Sequence, residues 1–281
     1  MDRRPTGLPR VFALVIVAGC APAFAPARVI PVRQSPPRTT VSIVEIDSYP
    51  AAVDAIADVM QRQLGFPPLD ASIHFVPGRE NLERALVADG FDAGIAHDVV
   101  RVLDAVGTPR KVLVNEAALG MLRWPERVRM LAHELTHTLQ YQLAGGRRST
   151  SDQWLREGFA DWVGCRVLEA LGSTRLALMR DASFDRVRRT ARQQPLPRLA
   201  EMTRFGDWMP LVAERRLVYE QALVATDLLI QRSGLEAMIL YFGRFRDSDD
   251  RLANFRLAFG EEFDAFDREV EESIRGVRRS P

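Results

Sequence analysis

Cysteine, lysine and histidine are all scarce in this chain, and each scarcity removes a class of protein. Two cysteines among 281 residues, Cys20 and Cys165, cannot build a disulfide scaffold. They lie in regions of different expected fate, so no intrachain disulfide is expected between them. Lysine occurs once, at Lys111, and every other basic residue is arginine. That bias reads as a GC-rich genome rather than as phosphate recognition. A formal charge of +1 gives no reason to invoke nucleic acid or an anionic membrane surface. The apolar run Val11 to Ala18 is too short to span a bilayer. What remains, 47% hydrophobic and 27% charged residues, describes an ordinary globular protein. Its length leaves room for one large domain or two small ones.

Two of the four histidines fall in one short block, His133-Glu134-Leu135-Thr136-His137. Pro125 suits the first turn of a helix, where its missing N–H has no partner to lose. Val128, Leu131, Leu135 and Leu139 then recur at spacings of three and four, which predicts one buried stripe. Gly145 and Gly146 supply the stop. On such a helix His133 and His137 lie one turn apart on one face, within reach of a single ion. Glu134 sits beside them as a candidate general base, the H-E-x-x-H arrangement of zinc hydrolases.

A catalytic zinc takes three protein ligands and keeps one position open, so a third ligand is expected nearby. Trp154 to Trp162 offers Glu157 and Asp161, four apart on one face of a second helix. Thr150 and Gln153 are placed to form its capping box. Nineteen residues separate His137 from Glu157, enough for the first helix to end, turn and return antiparallel. Glu157 then completes a His-His-Glu set. Asp161, one turn further, is placed to accept the outer N–H of a ligand histidine and fix its tautomer.

The blocks HELTH at 133–137 and WLREGFADW at 154–162 resemble those of the gluzincin metallopeptidases, most closely the peptidase-MA-like group. A weaker likeness runs through Tyr219-Glu220-Gln221-Ala222 to Phe259-Gly260, so that roughly 110–270 is covered. The resemblance implies one zinc per chain held by His133, His137 and Glu157, with Glu134 activating water. It implies a peptide or protein substrate but names none. In this group an edge strand often takes up substrate by backbone pairing, which the likeness assigns to 111–116. It also offers Tyr219 as a donor to the oxyanion, against the alternative of a core tyrosine.

The chain in order predicts four segments. Residues 1–19 read as a signal peptide, with Arg3, Arg4 and Arg10 preceding the apolar run. Val17-Ala18-Gly19-Cys20 resembles a bacterial lipobox and makes Cys20 the lipidated residue; Ala23-Phe24-Ala25 offers a competing cut that would release a soluble protein. Residues 20–40 read as a proline-stiffened tether. Residues 41–118 read as a small α/β subdomain, with strands at 41–46, 72–76 and 111–115 and helices at 51–64 and 79–88. Residues 119–281 read as a helical zinc-peptidase domain, including one long helix from Leu211 to Arg232 and helices near 235–245 and 262–275. His74 and His97 lack ligand spacing and read as structural. Cys165 reads as a buried small hydrophobe, and the arginines of 173–210 as a solvated helix and loop. The expected fold is α+β, a small mixed sheet followed by helices. The expected function is a zinc metallopeptidase of the cell envelope, lipid-anchored or else periplasmic or secreted. The alternative is a non-hydrolytic zinc protein of the envelope on a peptidase scaffold.

Overall fold

Alternation along two strands decides which layer goes where. In the computed structural model, which describes residues 27–33, 41–147, 150–214 and 217–276, β1 (Arg28–Pro31), β2 (Ser72–Val76), β3 (Ala105–Gly107) and β4 (Lys111–Asn115) form one mixed sheet of order β1-β2-β4-β3. β2 and β4 are parallel, and the outer two pairings are antiparallel. Ile73, Phe75, Val112 and Val114 face the main core, whereas Val76 and Leu113 face the other way. The second face is covered by α2 (Arg79–Ala88) and α3 (Ala93–Val102), the crossover between the parallel strands, through Leu82, Leu86, Ala96, Val99 and Val100.

The main core runs without a break from Ile30 to Ile274, so the segments 41–118 and 119–281 share it. α1 (Tyr49–Asp58) continues as a π-helical turn through Gln63 and is closed by Gly65 at φ +69°. After α4 (Glu116–Met121) comes α5 (Trp124–Leu143), with Pro125 in its first turn and Glu126 capping the Arg123 N–H. α6 (Gln153–Ala170) returns beside it. α7 (Leu176–Ala191), α8 (Phe205–Ala213), α9 (Val218–Ser233), α10 (Leu235–Arg244), α11 (Arg251–Phe259) and α12 (Phe263–Arg275) complete the α+β architecture.

Four expectations are corrected. Residues 28–31, expected as tether, are an edge strand: Val29 and Ile30 favour extended backbone, and an edge tolerates Pro31. Residues 41–46 are not a strand but a 3-10 turn at Ile43–Glu45, because Glu45 accepts the Ser42 N–H and Ile43 and Ile46 are spaced to bury together. β4 is an interior strand, so the free edge near 111–116 belongs to β3 instead. The helix expected from Leu211 to Arg232 is two, α8 and α9; the sequence Ala213-Glu214-Arg215-Arg216 interrupts the apolar stripe there. The signal peptide, Cys20 and the parts of the tether at 21–26 and 34–40 lie outside the described residues. Among the described residues no helix is long and apolar enough to cross a membrane.

Candidate metal centre

Close helix packing makes the site. Gln140 contacts Arg156, His133 contacts Glu157 and Asp161, and Arg129 contacts Asp161, so numbers fall along α5 as they rise along α6. The pair is antiparallel, as the spacing implied. Gly158 lets α9 in: a Cβ there would overlap the Ala222 carbonyl oxygen and Thr226 Oγ1. Gly107 does the same for β3, since its Cβ would sit 2.5 Å from the Glu134 carbonyl oxygen and 2.7 Å from His137 Cβ. These two contacts bring Tyr219 and the free edge of the sheet to the α5–α6 seam.

At that seam three atoms face one another. His133 Nε2 and His137 Nε2 are 3.1 Å apart, and Glu157 Oε2 lies 3.3 Å from the first and 3.5 Å from the second. A tetrahedral ion with bonds of about 2.0–2.1 Å spaces its ligands about 3.4 Å apart. The triangle therefore fits a metal ion without rearrangement. Among the described residues it is the one group of three or more His, Cys, Asp or Glu side chains with such spacing.

Each corner has its own support. Asp161 Oδ1 is 3.1 Å from His133 Nδ1, in the position expected of it, and also accepts from Arg129 Nη1 at 2.7 Å. Gln140 Oε1 is 3.0 Å from His137 Nδ1. Gln153 Nε2 donates to Glu157 Oε1 at 2.7 Å, which leaves Oε2 turned to the histidines. Gln153 thus serves the site rather than a capping box; Thr150 Oγ1 bonds Asp249 instead, and Asp152 is the N-cap.

Electrostatics follow from burial and these partners. Burial opposes the charge of His133, but Asp161 and Glu157 overcome it and raise its pKa to about 10. Burial likewise opposes the charges of Glu157 and Asp161. The histidines hold Glu157 below the usual carboxylate range, and His133 with Arg129 does so for Asp161. Glu134, outside the triangle, moves the other way: burial raises its pKa, against the nearby histidines and an N–H bond from Gly107. A carboxylate whose pKa is raised accepts a proton more readily than an ordinary one, which suits a base.

His133, one corner of the triangle, lines a cleft of about 860 Å³ together with Glu134, Asp161 and Tyr219 and apolar Met130, Leu168, Met179 and Leu223. The Tyr219 ring lies 6.5 Å from that of His133 and 5.0 Å from Trp208, edge to face. Burial and the neighbouring carboxylates raise its pKa well above normal, so the phenol keeps its proton and remains a donor. Cys165 also lines the cleft, but burial pushes its thiol up to about 12 and it stays outside the triangle. His74 bonds Ser72 Oγ, and His97 pairs with Glu83 on the surface; neither joins a metal group.

Arg129, Gln140, Gln153 and Gly107 were not foreseen. The first three carry a legible signal, since each lies three or four residues from a member of the triangle on the same helix. Gly107 carries none, because only the tertiary contact explains it. No family model, curated protein or solved structure matches the chain.

Proposed function

We propose that the chain is a zinc metallopeptidase, with one zinc held by His133, His137 and Glu157. The observation that supports it best is the preformed triangle with a second carboxylate, Glu134, beside it and outside it. Two imidazoles argue against calcium and magnesium, which take oxygen ligands. The same donors suit ferrous iron; a base at the mouth of the triangle favours hydrolysis by zinc. Bound there, zinc would polarise a peptide carbonyl and lower the pKa of a water toward about 7. Glu134 would take a proton from the attacking water and deliver it to the leaving amine as the carbon–nitrogen bond breaks. The Tyr219 hydroxyl donates to the oxygen on which charge develops.

The substrate is a peptide bound in extended form. Asp104 C=O and Thr108 N–H are spent on β4, so the backbone groups of Ala105 and Gly107 turn away from β4, the Gly107 N–H toward Glu134. That free edge supports backbone pairing at β3. A non-hydrolytic binding protein has no use for Glu134 or for an open approach to the metal. Export, with lipid at Cys20 or without it, is part of the proposal and rests on the sequence of the first 25 residues. Digestion of a proteome-derived peptide library, with zinc removed by chelation and then restored, tests the function. Cleavage that follows the metal supports the reading, and a library left intact by the zinc-loaded protein defeats it.

A further inference from the structure

We propose that Gln140 is a positioning residue that fixes His137 as the tautomer able to bind metal, and that it does so without adding charge to the site. The inference rests on the metal reading above. Gln140 is fully buried, one turn beyond His137 on α5. Its Nε2 lies 2.9 Å from the backbone carbonyl of Arg156, the residue next to Glu157, and its Oε1 lies 3.0 Å from His137 Nδ1.

A carbonyl oxygen can only accept, so the atom of Gln140 that faces Arg156 is its NH₂ group. The other end of the amide is then its oxygen, which also can only accept. His137 Nδ1 must therefore carry hydrogen, and the lone pair of the neutral ring falls on Nε2. That is the atom facing His133 Nε2 and Glu157 Oε2. The α6 backbone thus orients the Gln140 amide, and the amide orients the ring. The same bond ties the second ligand to the chain beside the third, which holds α5 and α6 in register at the site.

The contrast with His133 gives the arrangement its chemical sense. His133 Nδ1 is backed by the Asp161 carboxylate, itself paired with Arg129. A second carboxylate behind His137 would put another negative charge in a buried site that already holds Glu134, Glu157 and Asp161. It would also face the Arg156 carbonyl with no hydrogen to offer. A neutral amide meets both demands, accepting from the ring and donating to the carbonyl.

Zinc affinity by chelator competition, in the full protein, tests the proposal with three variants. Gln140→Met keeps the volume and removes both bonds; affinity should fall about 10- to 100-fold, the usual cost of losing such a partner. Gln140→Glu keeps an acceptor for the ring but, when ionised, offers no hydrogen to the Arg156 carbonyl, so its affinity should fall further below wild type as pH rises. Thr138→Val, which removes a buried hydroxyl with no partner on the same helix, should leave affinity unchanged. In the zinc-loaded wild type the His137 Nδ1–H should appear as a slowly exchanging imidazole resonance, absent in Gln140→Met. Wild-type affinity in Gln140→Met, or an equal loss in Thr138→Val, would overturn the proposal while leaving the metal centre standing. A wild type that takes up no zinc would overturn the metal centre and this inference with it.

Discussion

His133 is the residue on which pH acts most directly. Without metal, Asp161 and Glu157 hold its proton up to a pKa of about 10 against an ordinary 6.5. The charged ring therefore contributes stability that is fully present below pH 6.5 and lost as pH rises through about 10. Metal must displace that proton, so uptake near pH 7.5 should release about one proton from His133, and affinity should climb about tenfold per pH unit below its pKa. Calorimetry in buffers of differing ionisation enthalpy measures the release; uptake with no proton transferred would contradict the charge state. Asp161→Asn should lower the pH at which the ring gives up its proton and weaken metal affinity about 10- to 100-fold. At this scale the meeting of His133, His137 and Glu157, with Asp161 behind His133, was legible, because helical spacing puts the two histidines on one face of α5 and the two acids on one face of α6. Gln140 and Gln153 have the same spacing, three residues from His137 and four from Glu157, yet a glutamine at that spacing has many other uses. Only the distances assign them.

Two glycines govern how the elements meet. Gly158 follows Glu157 directly and carries the crossing of α6 with α9. Gly158→Ala forces a methyl against the Ala222 backbone and Thr226, so it should cost about 1–3 kcal/mol of stability or more, the usual range for overpacking. Denaturant unfolding measures the loss, and unchanged stability would mean the helices are not in contact there. Because α9 carries Tyr219, the same change should disturb the cleft. The strongly periodic elements β2, α2, β4 and α5 were legible at nearly their observed limits, and α6 in its first half. The short ones were not. β3 has three residues and α11 nine, too few for a pattern to stand out. The strand expected at 41–46 failed because one buried pair spaced three apart suits a 3-10 turn, and the Glu45 cap secures it. β1 hid among prolines, where composition spoke for a tether and only its pairing with β2 reveals a strand.

Among the described residues one main core joins the sheet to the helices, with a smaller cluster under α2 and α3, and a cleft of about 860 Å³ reaches the metal triangle at His133. The α+β class was legible from the change of period along the chain. The shared core was not, since contacts between α1 and α5, or between the 3-10 turn at 43–45 and the end of α6, join residues far apart in sequence. The central claim is that this opening serves hydrolysis, and Glu134→Gln tests it most directly. The amide keeps the size of the side chain but cannot take a proton from water. Glu134 stands outside the triangle, so zinc content should stay near wild type while cleavage falls at least about 10²-fold, the lower end of a positioned base's contribution. A variant that holds zinc and still cleaves at the wild-type rate would contradict the account.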